Sequence, residues 1–233
     1  MLNESFWKKY FKYYDYLNVL IPYQDLIGEF VRESEDIDIL NVLDAGAGTG
    51  NVSVNFSDKA EKVYAIDYSK EGLDVLKQKD PSIETVVHDL REPLPFEDGH
   101  FEVIVSNNTL YTLKKENLDS VFKEFYRVLR PGGIIIISNL KKGFNPFVIY
   151  IDHIKKSFVR FGTLRTFLQI LKLIIPTLKI FYYNYLITKQ KTSNYNFFET
   201  GEQKELLLRN GFKEVTEEKA VYSNQGLLVK GIK

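Results

Sequence analysis

The sequence predicts an α/β fold with a mainly parallel sheet, from its length and from the alternation of two kinds of segment. Between residues 39 and 139, short apolar runs alternate with stretches whose apolar residues recur at helical spacing. This alternation is typical of parallel strands joined by right-handed helical crossovers. A chain of 233 residues is long enough for one such domain with an insertion.

The apolar runs are the predicted strands of the sheet. Each is short and is closed by glycine or by polar residues, as buried strands often are. The isoleucines of the last run fill both faces, which predicts a strand inside the sheet. The runs are ILNVLDAG (39–46), KVYAID (62–67), IETVVHDL (83–90), FEVIVSNN (101–108) and IIIIS (134–138).

Helices are predicted from periodicity and from residues that start or stop them. Pro22 breaks or starts a helix in the N-terminal segment, Ser69 is a plausible N-cap, and Pro131-Gly132-Gly133 stops a long amphipathic helix. Gly211 follows the last helix, and two strands close the chain. The predicted helical segments are 4–35, 51–58, 69–79, 115–133 and 202–209.

The composition excludes several classes of protein. The chain has no cysteine, which excludes disulfides and thiolate metal sites, and we predict no metal site. Its first 18 residues mix charged and aromatic side chains, so we expect no cleaved signal peptide and a cytoplasmic location. The net charge of zero hides an asymmetry, because residues 141–191 hold ten Lys or Arg and one acid, whereas the remainder holds 21 basic and 30 acidic residues.

A glycine-rich loop follows the first predicted strand. Gly46, Gly48 and Gly50 would present backbone N–H groups to a ligand or allow tight packing of strand against helix. The third glycine lies one position too early for the dinucleotide motif G-x-G-x-x-G, and the Gly-Lys-Ser/Thr of a phosphate-cradling loop is absent. Asp44 would repel a pyrophosphate and would suit a cationic amino group.

Polar residues also end the second, third and fourth predicted strands. Asp67 is placed to accept both hydroxyls of a ribose, and equally to cap the following helix. Asp89 is placed to accept an adenine amino group, or it is a solvated strand end. Asn107 closes the fourth strand. Because the carboxyl ends of parallel strands meet at one edge, these residues predict a ligand site there.

Four motifs, in their order and spacing, resemble the class I S-adenosylmethionine-dependent methyltransferases. The motifs are VLDAGAGTG, VYAIDYS, HDLREPLPFEDGHFEVIVSNNTLYTL and FKEFYRVLRPGGIIIIS, which span about residues 40–139, and the closing LLRNGFKEV fits the same family. The resemblance implies a Rossmann-like, seven-stranded, mostly parallel sheet with a reversed final strand. It also implies helices on both faces and a helical insertion after strand five.

The resemblance assigns roles to the residues of the predicted site, with S-adenosylmethionine as the cofactor. Tyr14 and Tyr23 resemble aromatic residues of the N-terminal lid in this family, although packing in a core explains them equally well. The other assignments are Asp44, Gly46, Gly48 and Asn107 to the methionine part, Asp67 to the ribose hydroxyls, and Tyr68, Asp89 and Leu90 to the adenine.

Methyl transfer is an in-line displacement at an activated sulfonium carbon, so the protein mainly positions the acceptor. A general base helps only where the acceptor atom carries a proton that must leave. Many relatives carry a histidine where this chain has Tyr111 and Thr112, which leaves Tyr111 as a hydrogen-bonding candidate. His153 is the other catalytic candidate, although a lone histidine is more often incidental. The sequence does not separate O-, N- and C-methylation.

Residues 140–198 are apolar and basic, and we expect them to cover the substrate. Arg165, Lys172 and Lys179 share one helical stripe with Gln169 and Pro176, and charges in mid-segment argue against a transmembrane helix. The pattern fits a lid with a solvated basic face, an interfacial helix on an anionic membrane, or a nucleic-acid surface. Aromatic residues that would line a hydrophobic pocket or fill a core are Tyr182, Tyr183, Tyr185, Phe197 and Phe198.

The sequence therefore predicts one methyltransferase domain over residues 1–233. The predicted activity is S-adenosylmethionine-dependent methyl transfer to a small or lipid-like hydrophobic acceptor, such as an isoprenoid quinone or a polyketide-like molecule, in the cytoplasm or at the membrane periphery. The alternatives are a methyltransferase acting on RNA or a carrier protein, and a non-catalytic cofactor-binding protein. The predicted parts are an N-terminal helical lid (1–38), a cofactor-binding core (39–139), a helical insertion (140–198) and a closing helix with strands (199–233).

Overall fold

The computed structural model describes residues 9–11, 13–190 and 196–233, and a seven-stranded sheet forms its centre. The strands are β1 (Ile39–Ala45), β2 (Ala60–Asp67), β3 (Glu84–Val87), β4 (Phe101–Asn107), β5 (Leu129–Leu140), β6 (Lys219–Val221) and β7 (Gly226–Ile232). Their order is β3-β2-β1-β4-β5-β7-β6. Strands β1 to β5 are parallel, and β7 is antiparallel to both β5 and β6. The prediction of a mostly parallel sheet with a reversed final strand is confirmed.

Helices cover both faces of this sheet. They are α1 (Ile21–Arg32), α2 (Lys70–Lys79), α3 (Lys115–Val128), α4 (Pro146–Gln190) and α5 (Glu202–Arg209). Ser69 caps α2 as predicted, because its Oγ accepts a hydrogen bond from the Gly72 N–H at 3.3 Å. Pro22 lies in the first turn of α1, where its missing N–H removes no helical hydrogen bond. Pro22 therefore starts a helix rather than interrupting one.

The predicted N-terminal helix over 4–35 is interrupted before α1. Residues Asp15–Val19 form a 3-10 turn, and Leu20 is extended with a ψ of 119°. Residues 4–8 and residue 12 of the predicted range lie outside the described residues. The described part of this segment is thus helical at residues 9–11 and 13–14, followed by a short 3-10 turn and then by α1.

The sheet separates two apolar cores. Successive residues of a strand point to opposite faces, so Val103 and Val105 pack on the side of α1 and α2, whereas Ile104 packs on the side of α3 and α5. Phe30 of α1 and Phe125 of α3 are both fully buried. Burying a side chain of this size stabilises a fold by about 2 kcal/mol, and the two cores together fix the carboxyl edge of the sheet.

The predicted helix over 51–58 is wrong. A single 3-10 turn, Ser53–Asn55, forms in this stretch. The Ser53 N–H and hydroxyl both donate to Asp44, and Asn55 Nδ2 donates to the Asn51 carbonyl at 2.9 Å. Polar side chains that bind nearby backbone groups compete with helix formation. Here these hydrogen bonds hold the stretch in a single turn, and no helix forms.

The long amphipathic helix ends slightly ahead of the predicted stop at Pro131-Gly132-Gly133. Helix α3 ends at Val128, Leu129 is extended with a ψ of 135°, and Pro131 lies inside β5. Proline disfavours the helical conformation in the residue before it, so the helix must end ahead of Arg130. Leu129 then pairs with Phe101 of β4.

Helix α4 forms the insertion, and it is bent. At Gly162 φ is 76° and ψ is 176°, which separates residues 146–161 from a second segment, residues 163–190, that we call the outer segment. Within the predicted stripe, Pro176 is buried, Gln169 is half-buried, and Arg165, Lys172 and Lys179 are exposed. None of the helices that the structure describes is long and apolar enough to cross a membrane.

Candidate cofactor-binding site

The three glycines of the loop after β1 have different surroundings. Their φ values are 83° at Gly46, 53° at Gly48 and 76° at Gly50. A Cβ on Gly46 would lie 2.1 Å from Thr109, and one on Gly50 would lie 2.1 Å from Leu76, so these two glycines permit close packing. A Cβ on Gly48 would have no atom of the described residues within 4 Å. Gly48 is therefore the loop glycine with an open surface for a ligand.

Asp67 ties the end of β2 to this loop. Its Oδ2 accepts a hydrogen bond from the Gly48 N–H at 2.9 Å, and its Oδ1 accepts one from the Ser69 N–H at 2.8 Å. Burial raises the pKa of the Asp67 carboxyl, and these two hydrogen bonds oppose that effect. Each carboxylate oxygen retains a second lone pair, so the carboxylate is still able to accept ribose hydroxyls.

Asp44 is buried at the end of β1. Its Oδ2 accepts hydrogen bonds from the Ser53 N–H at 3.0 Å and from the Ser53 hydroxyl at 2.5 Å. Burial raises the pKa of Asp44 to about 7, the hydrogen bonds from Ser53 oppose the rise, and the nearby Asp67 carboxylate adds to it. A cationic amino group placed against this carboxyl would favour its charged form.

We expect Asp44 to make the protein less stable as pH rises from 4 to 7. Over this range the folded protein, in which the Asp44 pKa is about 7, holds a proton that the unfolded chain has released. The free energy of unfolding therefore falls by up to about 1.4 kcal/mol per pH unit and levels off above pH 7. Urea unfolding of the wild type and of Asp44→Asn, which keeps an oxygen acceptor for Ser53, isolates this contribution as their difference. A difference that stays constant from pH 4 to 7 would contradict the prediction.

The N-terminal segment is fixed onto the glycine loop by polar contacts. Asp15 Oδ1 accepts hydrogen bonds from the Thr49 hydroxyl at 2.7 Å and from Lys79 Nζ at 2.9 Å. Lys79 Nζ also donates to Asn51 Oδ1 at 2.9 Å, and Asn18 Nδ2 donates to the same oxygen at 2.8 Å. Sequence reasoning missed this network, because it joins residues from three separate parts of the chain.

Buried tyrosine hydroxyls gather next to this network. The Tyr14 and Tyr23 hydroxyls share a hydrogen bond, and burial raises the pKa of both above the usual value. The hydroxyls of Tyr111 and Tyr222 lie close enough to Tyr14 to influence its pKa or to be influenced by it. The Tyr23 and Tyr222 rings are in contact, with centroids 5.6 Å apart. At neutral pH the buried hydroxyls of Tyr14, Tyr23 and Tyr222 are neutral hydrogen-bond donors.

Tyr222 reaches this cluster from a strained turn between β6 and β7. Tyr222, Ser223 and Asn224 have φ values of 53°, 55° and 60°, and each non-glycine residue in this region costs about 1 kcal/mol or more. The Ser223 hydroxyl donates to Asp152 Oδ2 at 2.6 Å, and Lys141 Nζ donates to Asn224 Oδ1 at 2.8 Å. The partners that hold the turn are 71 and 83 residues away, so no local signal predicts it.

The residues expected at the adenine differ in their exposure to solvent and in their hydrogen-bond partners. Tyr68 directly follows β2 and is 61% exposed, whereas Leu90 is buried. Asp89 is paired with Arg91, whose Nε donates to both carboxylate oxygens at 2.9 and 3.0 Å. This hydrogen bonding lowers the pKa of Asp89. An adenine amino group would have to share Asp89 with Arg91 or displace it.

Buried polar atoms without a partner among the described residues lie near the ends of β4 and β5. They are Asn107 Oδ1, Ser138 Oγ and Asn196 Nδ2. Asn107 and Ser138 are neighbours in register, and the Asn196 N–H donates to the Tyr111 carbonyl at 2.7 Å. Since an unpaired buried polar group costs about 1–3 kcal/mol, these atoms suit a polar ligand. The Asn107 oxygen fits an amino group such as that of the methionine moiety.

The two catalytic candidates differ in placement. His153 is 1% exposed, and its Nδ1 accepts a hydrogen bond from the Ile21 N–H at 3.2 Å. Burial lowers the pKa of His153, which favours the neutral imidazole that accepts this hydrogen bond in the first turn of α1. Tyr111 stacks on Phe197, with ring centroids 5.6 Å apart, beside the tyrosine cluster. In the part of the chain that the structure describes, no cluster of three metal-ligating side chains is present.

The reversed β7 agrees with the fold predicted from the resemblance to the class I S-adenosylmethionine-dependent methyltransferases. Polar residues lie at the carboxyl ends of β1, β2 and β4, at the edge where that resemblance predicts the cofactor. The likeness of the chain to known methyltransferases supports this class, whose cofactor is S-adenosylmethionine. Residues 43–137 match the family described as "Methyltransferase domain".

Named relatives match part of the chain. Malonyl-[acyl-carrier protein] O-methyltransferase of Yersinia pestis is 35% identical over 102 residues, which are 44% of this chain and 37% of that protein. Demethylmenaquinone methyltransferase of Staphylococcus aureus is 32% identical over 133 residues, which are 54% of each protein. The chain thus matches about half or less of the length of these relatives.

Solved structures resemble the fold over nearly the whole chain. A S-adenosylmethionine-dependent methyltransferase from Aquifex aeolicus has a TM-score of 0.57 at 18% identity, covering 93% of this chain and 91% of that one. The N-methyltransferase NodS from Bradyrhizobium japonicum WM9 has a TM-score of 0.59 at 12% identity, covering 91% and 96%. At these identities the likeness concerns the fold alone.

Proposed function

We propose that the protein transfers the methyl group of S-adenosylmethionine to a small or lipid-like hydrophobic acceptor. The observation that carries the proposal is the junction of a cofactor-type site with a buried aromatic cluster. Asp44 lies close enough to Tyr23 to influence its pKa, and Tyr23 contacts Tyr222. An acceptor in contact with these rings would therefore lie next to the methionine end of the cofactor.

The chain's own residues would hold the ribose and the amino group of the cofactor. S-adenosylmethionine, when bound, supplies a methyl group already activated on a positively charged sulfur. Asp67 would accept the ribose hydroxyls, and Gly48 would allow the ligand to approach the backbone. Asp44 and the Asn107 oxygen would receive the amino group. Their role is to orient the donor, and orientation accounts for much of the rate in such displacements.

The acceptor side is apolar, with neutral hydroxyls. Phe197 stacks between Tyr111 and Phe144, at centroid distances of 5.6 and 6.4 Å. Burial raises the pKa values of Tyr14 and Tyr222 well above the usual range, so these hydroxyls would orient an oxygen of the acceptor and would not remove its proton. This favours an acceptor that ionises by itself, such as a phenol, an enol or a carboxylic acid.

The proposal also assigns a role to each part of the chain and places the protein in contact with a membrane. Residues 1–38 would form the lid, 39–139 the cofactor-binding core, 140–198 the cover of the acceptor and 199–233 the closing elements. The net charge of +9 over residues 141–191, from ten basic residues and one acid, supports peripheral contact with an anionic membrane, where a lipid-like acceptor would be found.

Calorimetry with S-adenosylmethionine and S-adenosylhomocysteine, followed by transfer of labelled methyl groups to a panel of acceptors, tests the proposal. We expect both cofactor forms to bind and a hydrophobic phenol, quinol or acid to become labelled. Absence of cofactor binding would contradict the proposal, and binding without transfer to any acceptor of the panel would favour a non-catalytic cofactor-binding protein.

A second candidate is methylation of a group held on a carrier protein, or of RNA. The basic surface of residues 141–191 favours it, and the Yersinia pestis relative is named for a malonyl group on an acyl-carrier protein. The same assay separates the candidates. Labelling of an acyl-carrier protein or of tRNA, lost at high salt and without labelling of free acceptors, would favour the second candidate.

A further inference from the structure

The outer segment of α4, residues 163–190, turns a continuous apolar face towards solvent. Seven large residues follow one another at alternating steps of four and three, and their exposed fractions range from 48% to 73%. Soluble proteins rarely leave so long an apolar stripe uncovered, and such a stripe usually marks an interaction site. The residues are Leu164, Leu168, Leu171, Ile175, Leu178, Tyr182 and Tyr185.

The opposite side of the outer segment is packed on the protein, which fixes the direction of the apolar face. Thr166, Leu173 and Ile180 recur every seven residues and are 1%, 7% and 5% exposed. Leu173 belongs to the core beneath α1, and Tyr183 stacks on Tyr13 with centroids 6.0 Å apart. The apolar face is therefore turned outward by tertiary packing.

A row of cations follows one edge of this face. Arg165, Lys172 and Lys179 also recur every seven residues, and the outer segment contains no Asp or Glu. Ion pairs in the described part of the chain engage Lys142 and Lys156 of the insertion, but not these three cations. The edge of the apolar face thus carries positive charge that the described carboxylates do not neutralise.

The combination of charge and apolar area favours one occupant. A second copy of the outer segment would cover the apolar residues but would bring no carboxylate to the cations. RNA would neutralise the cations but would leave the apolar face in water. A bilayer with anionic headgroups would bury the apolar face and neutralise the cations, as it does for amphipathic interfacial helices.

We propose that the outer segment of α4 lies in the interface of an anionic lipid bilayer, with its apolar face among the acyl chains and Arg165, Lys172 and Lys179 at the headgroups. The role of this membrane binding rests on the proposed function, because the enzyme would reach a lipid-like acceptor from the bilayer. Binding itself requires no methyl transfer, so it is testable separately.

The first experiment measures how the full chain partitions onto vesicles of phosphatidylcholine, with and without about 30% phosphatidylglycerol. Each surface cation contributes about fivefold to binding of anionic lipid. We therefore expect the triple variant R165Q/K172Q/K179Q to bind the anionic vesicles about 100-fold more weakly. The control K59Q/K123Q/K213Q removes three exposed lysines elsewhere and should stay within about threefold of the wild type. Failure of the wild type to bind, or equal losses in both triple variants, would overturn the proposal.

The second experiment uses the absence of cysteine from the chain. Ile175→Cys and Leu208→Cys each introduce one labelling site, at positions that are 64% and 50% exposed. An environment-sensitive fluorophore at position 175 should shift to the blue on anionic vesicles, whereas the same label on α5 at position 208 should not. An unchanged spectrum at position 175 while the protein is bound would overturn the proposal.

Further outcomes assign the face to another occupant. A dimer seen by sedimentation that dissociates in the double variant Leu171→Ser/Ile175→Ser would assign the apolar face to a second copy of the chain. Binding of tRNA that is lost in the triple cation variant would assign the face to nucleic acid. Either result, without vesicle binding, would overturn the proposal. Vesicle binding in a protein that fails to bind S-adenosylmethionine would support this inference while contradicting the proposed function.

Discussion

Asp67→Ala is expected to weaken the binding of S-adenosylmethionine at least about 100-fold. The carboxylate would accept two ribose hydroxyls, and two hydrogen bonds to a charged group are worth about 3 kcal/mol or more, which corresponds to about 100-fold in Kd. The substitution also leaves the Gly48 N–H without the acceptor that it has at 2.9 Å. Calorimetric titration with the cofactor measures the effect.

Two control variants separate this role from a general effect on α2. Asp74→Ala removes an exposed carboxylate that pairs with Lys70 at 2.7 Å on the same helix, and the Kd should stay within about twofold. Asp67→Asn keeps one oxygen acceptor but places an amide NH2 against a backbone donor, so an intermediate loss is expected. Wild-type affinity in Asp67→Ala would show that the ribose does not lie at this residue.

Gly50→Ala is expected to lower the free energy of unfolding by about 3 kcal/mol, whereas Gly48→Ala should lower it by only about 1 kcal/mol. Both glycines have positive φ, 76° and 53°, which costs an alanine about 1 kcal/mol or more. Only at Gly50 would the new methyl group also lie 2.1 Å from the Leu76 side chain, and such overpacking costs about 1–3 kcal/mol. Urea unfolding followed by circular dichroism measures both values.

The affinity for the cofactor should fall more in Gly48→Ala than in Gly50→Ala, which is the reverse of the order expected for stability. The methyl group of Gly48→Ala points into space free of described atoms, where the ligand is proposed to lie, so the folded variant should bind S-adenosylmethionine at least about tenfold more weakly. Gly50→Ala, measured where it remains folded, should bind with a smaller loss. Unchanged affinity in Gly48→Ala would place the ligand elsewhere, and an unaltered stability in Gly50→Ala would contradict the packing of the loop on α2.

Predictions from the sequence succeeded where neighbouring residues decide the structure. The apolar runs of β1 to β5 depend on alternation along the chain, and the cap at Ser69 depends on atoms three residues away. The helix expected over 51–58 failed because Asp44 binds Ser53 from the end of β1. The end of α3 was misplaced because the restriction that Pro131 imposes acts on the residue before it.

For the site, the sequence supplied the residues but not their partners. Asp44 and Asp67 follow from the motifs, whereas the pairing of Asp89 with Arg91 and the use of His153 as a cap for α1 required the structure. The position of Tyr222 could not be predicted from the sequence. The turn that carries Tyr222 is held by Asp152 and Lys141, which both lie within residues 140–198.

The sequence by itself determined the parallel sheet, the edge at which its polar residues collect, the resemblance to methyltransferases and the basic, apolar character of residues 140–198. These properties depend on local periodicity, composition and motif spacing. Only the tertiary structure decided that Gly48 is the open glycine, that tyrosines from distant segments share one cluster, and that the apolar side of the outer segment faces outward. The physical reason is that packing between residues far apart in the chain selects one face of a helix or loop, and periodicity alone does not specify which partner will cover it.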